Sequence, residues 1–246
     1  MPLEDLDKRY ENGRTLLHWA AYAGQLNQVP RKRFTLARLR RADYDGTRVI
    51  HAAAVGRCLD AIPTKLLDAA LLNQRDQKWM TVWHLAARNS CLDQIPTHLY
   101  TDENLLLEAG EDGHTAFHEA AIYGSLDQIP AHLLTASNLT RFNAPGFTPL
   151  HYAARRLHQI PEAVLTKENL MLESRDGHGR PVIYKAASGV MKTGKDNRCF
   201  LCPEGFKDIP LPVLLTCKDI VLEGKTVLEH LSPEQRTSVN SMATVG

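Results

Sequence analysis

One motif recurs along the chain at a nearly constant spacing. A histidine followed within a residue by Ala-Ala stands at His18, His51, His84, His118 and His151. Tyr184 takes the next place in this register, so the successive steps are 33, 33, 34, 33 and 33 residues. A repeat of that length predicts a solenoid, in which each unit buries its apolar face against its neighbours. Because such stacks usually present extended binding surfaces, the repeat favours binding over catalysis.

The clearest unit runs from residue 111 to residue 140. Asp112-Gly113 predicts a tight turn, since glycine adopts positive φ without steric cost. Thr115 then caps a helix in which Phe117, Ala120 and Ala121 share one face. The turn glycine recurs in other units at Gly13, Gly46, Gly146 and Gly179, whereas Trp79 breaks the pattern in the third.

The register Asp-Gly-x-Thr-x-Leu-His-x-Ala-Ala-x-x-Gly resembles the ankyrin repeat over residues 10 to 230, in about seven units. The resemblance implies an all-α solenoid of turn-plus-two-helix units with short hairpin tips, whose tips and first helices face a concave side. The chain departs from the common pattern where Leu-Asp-Gln-Ile-Pro interrupts the second helix, as at 92–96 and 126–130. We therefore expect a shortened or broken second helix, and an insertion at 190–205 in the sixth unit.

The domain organisation follows from the extent of the repeat. We expect one elongated array over residues 1–232 and a disordered tail over 233–246. The chain shows neither a basic start leading into an apolar stretch nor a run of 18 apolar residues. Its five cysteines are odd in number and scattered, which fits a reducing compartment. These features predict a cytoplasmic monomer without a membrane partner, with a nuclear or exported location left open.

The chain has 29 Lys plus Arg against 28 Asp plus Glu, so its total charge gives no preference for nucleic acid. Residues 31–41 nevertheless carry six basic side chains and no acid: Arg31, Lys32, Arg33, Arg38, Arg40 and Arg41. The segment can be a solvated face, a docking surface for an acidic protein or a nucleic-acid contact. The solvated face needs no partner and is favoured, with Phe34, Leu36 and Leu39 as the apolar minority that is buried.

Two sets of residues suggest metal or catalytic chemistry. The repeated histidine stands once per unit at a fixed helical position, which indicates a structural role; the resemblance implies that it orders the turn by hydrogen bonds.

Cys199 and Cys202 resemble half of a zinc knuckle, with Cys217 as a third ligand and His178 or His230 as a remote fourth. A second cysteine pair is missing, so an exposed insertion is favoured over zinc, and we assign no metal or cofactor. The chain contains no nucleophile elbow or dinucleotide fingerprint, so we expect no enzyme.

The resemblance also implies where partners bind, namely at residues flanking the turn glycine and at the two positions after Ala-Ala. At these positions the chain has Tyr22, Tyr44, Asp45, Lys78, Arg88, Asp112, His114, Tyr123, Phe147, Arg155 and Arg156. Tyrosine and arginine dominate the energies of many interfaces, although Tyr22 or Tyr123 can equally pack between units. We therefore predict a non-catalytic module that binds a partner protein through the concave face. The alternatives are a regulatory or targeting arm of a larger enzyme or effector, and nucleic-acid association through residues 31–41.

Overall fold

The structure is a computed structural model that describes residues 6–187, 206, 209–222 and 225–243. The chain divides into two compact units, which we call the N-terminal body (residues 1–133) and the C-terminal body (residues 134–246). The expected insertion at 190–205 lies outside the described residues.

The N-terminal body repeats one sequence of elements: a turn, a longer α-helix, two 3-10 turns and a short α-helix. Its α-helices are α1 (Leu16–Tyr22), α2 (Leu36–Leu39), α3 (Val49–Val55), α4 (Ala69–Leu72), α5 (Val82–Arg88), α6 (Asp102–Leu105) and α7 (Ala116–Tyr123). Its 3-10 helices are Glu11–Gly13, Leu26–Gln28, Arg31–Arg33, Leu59–Ala61, Thr64–Leu66, Leu92–Gln94, Thr97–Leu99, Leu126–Gln128 and Ala131–Leu133. The longer helices α1, α3, α5 and α7 pack against one another in chain order.

The C-terminal body continues the pattern. Its α-helices are α8 (Ala136–Leu139), α9 (Pro149–Ala153), α10 (Lys167–Leu170), α11 (Val182–Ala187), α12 (Leu211–Cys217), α13 (Val227–His230) and α14 (Pro233–Ala243). Its 3-10 helices are Leu157–Gln159 and Glu162–Val164. The strands β1 (Val221–Leu222) and β2 (Lys225–Thr226) form an antiparallel hairpin. Helix α9 packs on α11, and α12 packs on α14.

The predicted disorder of the tail is wrong for residues 233–243, which form helix α14. Ser232 and Gln235 cap the helix reciprocally: the Ser232 hydroxyl accepts the Gln235 N–H at 3.3 Å, and the Gln235 side chain accepts the Ser232 N–H at 3.1 Å. Val239 is fully buried and anchors the helix. The Ser-Pro-Glu-Gln sequence at 232–235 is therefore a helix start that sequence analysis overlooked.

The second half of each repeat is broken, as predicted. Between Leu92 and Leu105 the chain forms the 3-10 turns Leu92–Gln94 and Thr97–Leu99 and then the short helix α6. Pro96 separates the two turns, because its fixed φ and missing N–H do not suit a helix interior. Threonine then starts the short helix, and the Thr101 hydroxyl accepts the Asn104 N–H at 3.2 Å.

Glutamine side chains in two of these interruptions tie one repeat to the preceding one. Gln94 accepts the Leu59 N–H at 2.9 Å and donates to the Arg57 carbonyl at 3.0 Å. Gln128 makes the same pair of bonds with the Leu92 N–H at 2.9 Å and the Ser90 carbonyl at 3.2 Å. The Leu-Asp-Gln-Ile-Pro interruption thus supplies hydrogen bonds between neighbouring repeats.

The longer helices approach closely because their contacts are made by alanine and glycine. Ala53, Ala54, Ala86 and Ala87 are completely buried. A Cβ atom at Gly56 would overlap the carbonyl oxygen of Ala21, although the φ of Gly56 is one that any residue adopts. The backbones of the first two repeats therefore touch at this point.

Small polar side chains bond across the same interface. The Cys58 thiol lies 3.4 Å from the Ala21 carbonyl, the Cys91 thiol lies 3.3 Å from the Ala54 carbonyl, and the Ser125 hydroxyl lies 2.8 Å from the Ala87 carbonyl. Burial raises the pKa of Cys58 to about 11 and that of Cys91 to about 12. Both thiols are therefore protonated structural donors at neutral pH. None of the helices in the described ranges has the length and hydropathy needed to cross a bilayer.

Candidate functional site

The repeated histidines hold the starts of the longer helices. The Nδ1 atom of each accepts the backbone N–H three residues earlier, at 3.1 to 3.3 Å, in His18, His51, His84, His118 and His151. The opposite nitrogen reaches the next tip: His51 Nε2 donates to the Gln74 carbonyl at 2.8 Å, and His84 Nε2 donates to the His114 carbonyl at 3.0 Å. Both nitrogens of His51 and His84 are thus engaged in the structural role expected from the sequence.

Aspartate side chains stiffen the tips that display several predicted partner-binding residues. Asp43 Oδ1 accepts the N–H groups of Asp45 and Thr47 at 3.0 and 2.9 Å. Asp76 Oδ1 does the same for Lys78 and Met80, both at 2.9 Å. Both aspartates lie eight residues before a repeated histidine, a periodic signal that sequence analysis missed. They hold Asp45 and Lys78 on defined turns.

The first cluster of predicted residues gathers around Arg14. Its guanidinium lies 4.9 Å from the centre of the Tyr22 ring and 5.2 Å from the centre of the Trp19 ring. It also pairs with the buried carboxylate of Asp43 at 3.0 Å and lies 3.9 Å from Asp45. Tyr22 is therefore half-buried and held in place, whereas Trp19 remains 46% exposed. Tyr22 and Asp45 are among the residues predicted from the sequence, whereas Arg14 and Trp19 are not.

Tyr44 lies on the neighbouring tip and is 69% exposed. Its backbone N–H donates to the Asn12 carbonyl at 2.9 Å, and its ring covers Gly13 so closely that a Cβ there would lie 2.6 Å from it. Gly13 is therefore needed both for its positive φ and for the space that the Tyr44 ring occupies. One side of the Tyr44 ring thus packs on Gly13, while the rest of the ring is exposed to solvent.

The second cluster gathers Arg88, His114 and Tyr123, three predicted residues, around Glu119. The Arg88 guanidinium makes two bonds to the Glu119 carboxylate at 3.0 and 3.2 Å, and His114 Nδ1 lies 2.9 Å from the same group. Arg88 also lies 5.5 Å from the centre of the Tyr123 ring, which is 46% exposed. Burial by itself would raise the pKa of Glu119, but the hydrogen bonds from His114 and Arg88 outweigh it and lower that pKa.

Trp79 is the most unusual residue of the N-terminal body. It has a φ of 61° in the place where other repeats have Gly13, Gly46 and Gly113, and its side chain is 63% exposed. Left-handed backbone costs a non-glycine residue about 1–2 kcal/mol. The Arg75 guanidinium lies 5.4 Å from the ring, and the predicted residue Lys78 is exposed beside it. Asp112 is exposed on the following tip.

The remaining predicted residues belong to the C-terminal body. Phe147 is half-buried, and the Lys185 ammonium lies 3.7 Å from the centre of its ring. Arg155 is exposed after the end of α9, and Arg156 is half-buried with its N–H donated to the Ala153 carbonyl at 2.6 Å.

The basic segment 31–41 is partly neutralised. Phe34 and Leu39 are buried as predicted, while Leu36 is half-buried. Arg38 and Arg41 both pair with Asp7, at 2.7 and 3.2 Å. Hydrogen bonding by Arg38 is the main cause that lowers the pKa of Asp7. The exposed members of the segment are Arg31, Lys32 and Arg40, while Arg33 is half-buried.

The zinc hypothesis depends on Cys199 and Cys202, which lie outside the described residues. Cys217 is buried, and His178 is exposed on a tip. His230 Nε2 bonds to the Leu222 carbonyl at 2.9 Å and its ring stacks on Phe206. Within the described part of the chain, no three His, Cys, Asp or Glu side chains are grouped so as to hold a metal.

The sequence matches no protein-family model and no curated protein. Solved structures do match the fold. The ankyrin repeat domain of Bcl-3, a member of the IkappaB protein family, aligns with a TM-score of 0.55 and 17% identity over 94% of this chain and 100% of that chain. The fold is that of an ankyrin-repeat domain.

A second similar structure is one chain of a complex that contains the predatory endopeptidase Bd0816 from Bdellovibrio bacteriovorus and immunity protein Bd3460. It aligns with a TM-score of 0.50 and 21% identity over 72% of this chain and 91% of that chain. At these identities the likeness establishes the fold, so the predicted all-α ankyrin-like repeat architecture is confirmed. Ankyrin-repeat folds generally bind proteins and are typically non-catalytic.

Proposed function

We propose that the chain is a protein-binding module, and that the tips and solvent-facing sides of the longer helices in the N-terminal body form its partner-binding face. We call this surface the aromatic face and define it by Trp19, Tyr44, Trp79 and Tyr123. Each of these side chains is between 46% and 69% exposed. Trp and Tyr are the residues that most often dominate binding energy when a partner buries them.

Trp79 carries the proposal. A large aromatic residue in left-handed backbone is unfavourable for folding, and a side chain that is 63% exposed gains little packing energy in return. Strained residues of this kind cluster at functional sites, where binding compensates for the strain. The equivalent residues of neighbouring tips are glycine. Glycine at position 79 would therefore remove the backbone strain, yet this repeat has tryptophan there.

The other three aromatic residues support the same conclusion. Arg14 lies against Trp19, Arg75 against Trp79 and Arg88 against Tyr123, so three of the four rings have a guanidinium group beside them. Gly13 and the backbone of Asn12 support Tyr44. Such preorganisation reduces the entropy that side chains lose on binding. A complex between two proteins, an endopeptidase and an immunity protein, is also present among the structures with this fold.

The test begins with the unidentified partner. Replacing Tyr44 in the full chain by the photocrosslinker p-benzoylphenylalanine should capture one protein in source cells, and the same replacement at His98 should not. His98 is the control because it is exposed in a 3-10 turn of the second half of its repeat.

The captured protein is then titrated with the Trp79→Gly variant by isothermal calorimetry. We expect affinity to fall by at least about 2 kcal/mol, while the melting temperature stays the same or rises because the backbone strain is removed. Unchanged affinity of a folded Trp79→Gly variant, together with equal capture from positions 44 and 98, would refute the aromatic face as the binding site.

A further inference from the structure

The C-terminal body contains a cleft that the aromatic face does not include. The cleft has a volume of about 280 Å³ and lies between helices α9 and α11. Tyr152 and Arg155 line it from the α9 side, and Arg180, Tyr184 and Lys185 line it from the α11 side. A volume of this size suits one or two side chains better than a whole cofactor.

The cleft is strongly cationic. Among the described residues that line it, Arg155, Arg180 and Lys185 are basic and none is acidic. The remaining titratable base is His151, whose pKa burial lowers to about 4, so that it is neutral at physiological pH. Asp176 acts on Lys185 through its charge, but its carboxylate is engaged by the Ser174 hydroxyl at 2.7 Å and the His178 N–H at 3.1 Å.

Aromatic rings hold the cations in position. The Lys185 ammonium lies 3.7 Å from the centre of the Phe147 ring and 5.8 Å from that of Tyr152, and the Arg180 guanidinium lies 5.6 Å from that of Tyr184. Burial is the main cause that lowers the pKa of Lys185; the charge of Asp176 raises this pKa, and the charge of Arg180 lowers it by less. The loss of solvent around the Lys185 ammonium is therefore unfavourable in the unbound protein, and an anion held in the cleft at short distance would offset it.

We propose that this cleft binds an acidic segment of a protein partner, with an aspartate or glutamate carboxylate between Arg180, Lys185 and Arg155 and an adjoining aromatic or aliphatic group against Tyr152 and Tyr184. The cations provide charge complementarity for the carboxylate, and guanidinium groups can bind it through two hydrogen bonds. The rings give the flanking group an apolar wall. The site is independent of the aromatic face, since it lies in the other body and shares no residue with it.

The test uses the full chain and a fluorescent peptide of alternating glutamate and tyrosine residues, measured by fluorescence anisotropy. We expect Arg180→Gln and Lys185→Met each to weaken binding by about tenfold. Arg141→Gln changes the net charge equally at an exposed position that does not line the cleft, and it should alter affinity by less than about twofold. A peptide with glutamine in place of glutamate should not bind.

Several outcomes would overturn the proposal. Equal loss of affinity in Arg141→Gln would show that the peptide responds only to overall charge. Equal binding of the glutamine peptide would show that the carboxylate is not recognised. Inorganic phosphate that binds more tightly than the peptide, and loses its affinity in Arg180→Gln, would assign the cleft to a small phosphate ligand instead. Melting curves of each variant distinguish these results from unfolding, and Arg180 is exposed, so its substitution leaves the core intact.

Discussion

At the scale of single residues, the repeated histidines show how burial turns a chemically versatile side chain into a structural one. In each case Nδ1 accepts a backbone N–H, which requires the neutral form of the ring. Burial lowers the pKa of His84 and of His151 to about 4, and it also lowers the pKa values of His18 and His51. Protonation of these histidines at low pH should therefore oppose the folded state.

The stability of the protein should fall as the pH drops from about 6.5 towards 4. Above about 6.5 a histidine is neutral in both the folded and the unfolded chain, so it adds no pH dependence. Below that value the unfolded chain binds a proton that the folded chain excludes, and each such histidine lowers the free energy of unfolding by about 1.4 kcal/mol per pH unit. The loss from His84 ends near pH 4, where the folded state is protonated too.

Urea unfolding of His84→Gln at pH 7.5 and pH 5.5 tests this expectation. The variant should be less stable than the parent at pH 7.5, by about 1–3 kcal/mol, because it loses well-placed buried hydrogen bonds. The drop in its stability between the two pH values should nevertheless be smaller. His132→Gln, at an exposed position, should retain the drop of the parent. A drop in His84→Gln as large as that of the parent would contradict the assignment.

The candidate site was only partly predictable, and the reason lies in the side chains of the longer helices. The sequence named Arg88, His114 and Tyr123 separately, but Glu119, the partner that Arg88 and His114 share, lies directly after a repeated histidine, as does Trp19. Positions one and four residues after that histidine share one side of the helix, so this spacing would have found both. The sequence showed Trp79 only as a break in the turn pattern, because the backbone φ and the solvent exposure of a residue cannot be read from one sequence.

At the scale of elements, the interruption of the second helix provides an inter-repeat contact. Gln94 and Gln128 each make two bonds to the backbone of the preceding repeat. The second repeat has Ala61 at the same place, and the first repeat has Gln28, which is exposed. The sequence predicted that the helix would be broken, because proline and threonine reveal the break. It did not reveal what the glutamine binds, since that depends on how neighbouring repeats are aligned.

Substitutions at these positions should change stability in opposite directions. Gln128→Ala should lower the free energy of unfolding by about 1–3 kcal/mol, because it leaves the Leu92 N–H without its acceptor. Ala61→Gln should raise it by about 1 kcal/mol through equivalent bonds to the first repeat. Gln28→Ala should have almost no effect. Chemical denaturation of the three variants measures all the changes, and a loss in Gln28→Ala equal to that in Gln128→Ala would mean that the bonds between repeats are not the cause.

At the scale of the whole molecule, the repeats of the N-terminal body depend on their neighbours for a core. Helices α1, α3, α5 and α7 pack in succession, so a defect between two repeats should loosen that part of the stack first. The general architecture was predictable because the period, the paired alanines and the turn glycines all indicate the same fold. The helical tail was not, because its capping residues fall outside the repeat.

The buried thiols can report such loosening. Gly56→Ala should separate the first two repeats, because the added methyl group would overlap the Ala21 carbonyl, and overpacking of this kind costs about 1–3 kcal/mol. Under native conditions Cys58, whose thiol bonds to the Ala21 carbonyl at this contact, should then react with iodoacetamide roughly tenfold faster or more. Cys217, several repeats further along the chain, serves as the internal reference, and Val55→Ala is the matched surface variant. Peptide mass mapping measures each rate, and unchanged rates at Cys58 would contradict close packing at Gly56.

The bonds between repeats have one more consequence. Seven side chains form hydrogen bonds to backbone atoms of an adjacent repeat: Gln94, Gln128, Cys58, Cys91, Ser125, His51 and His84. Peptide groups are the same in every sequence, so these contacts place little demand on which side chains the neighbour carries. A copied or exchanged repeat could therefore form the same hydrogen bonds to the backbone of its new neighbours. Such a gene can lengthen by duplication while the solvent-facing residues of each copy diversify.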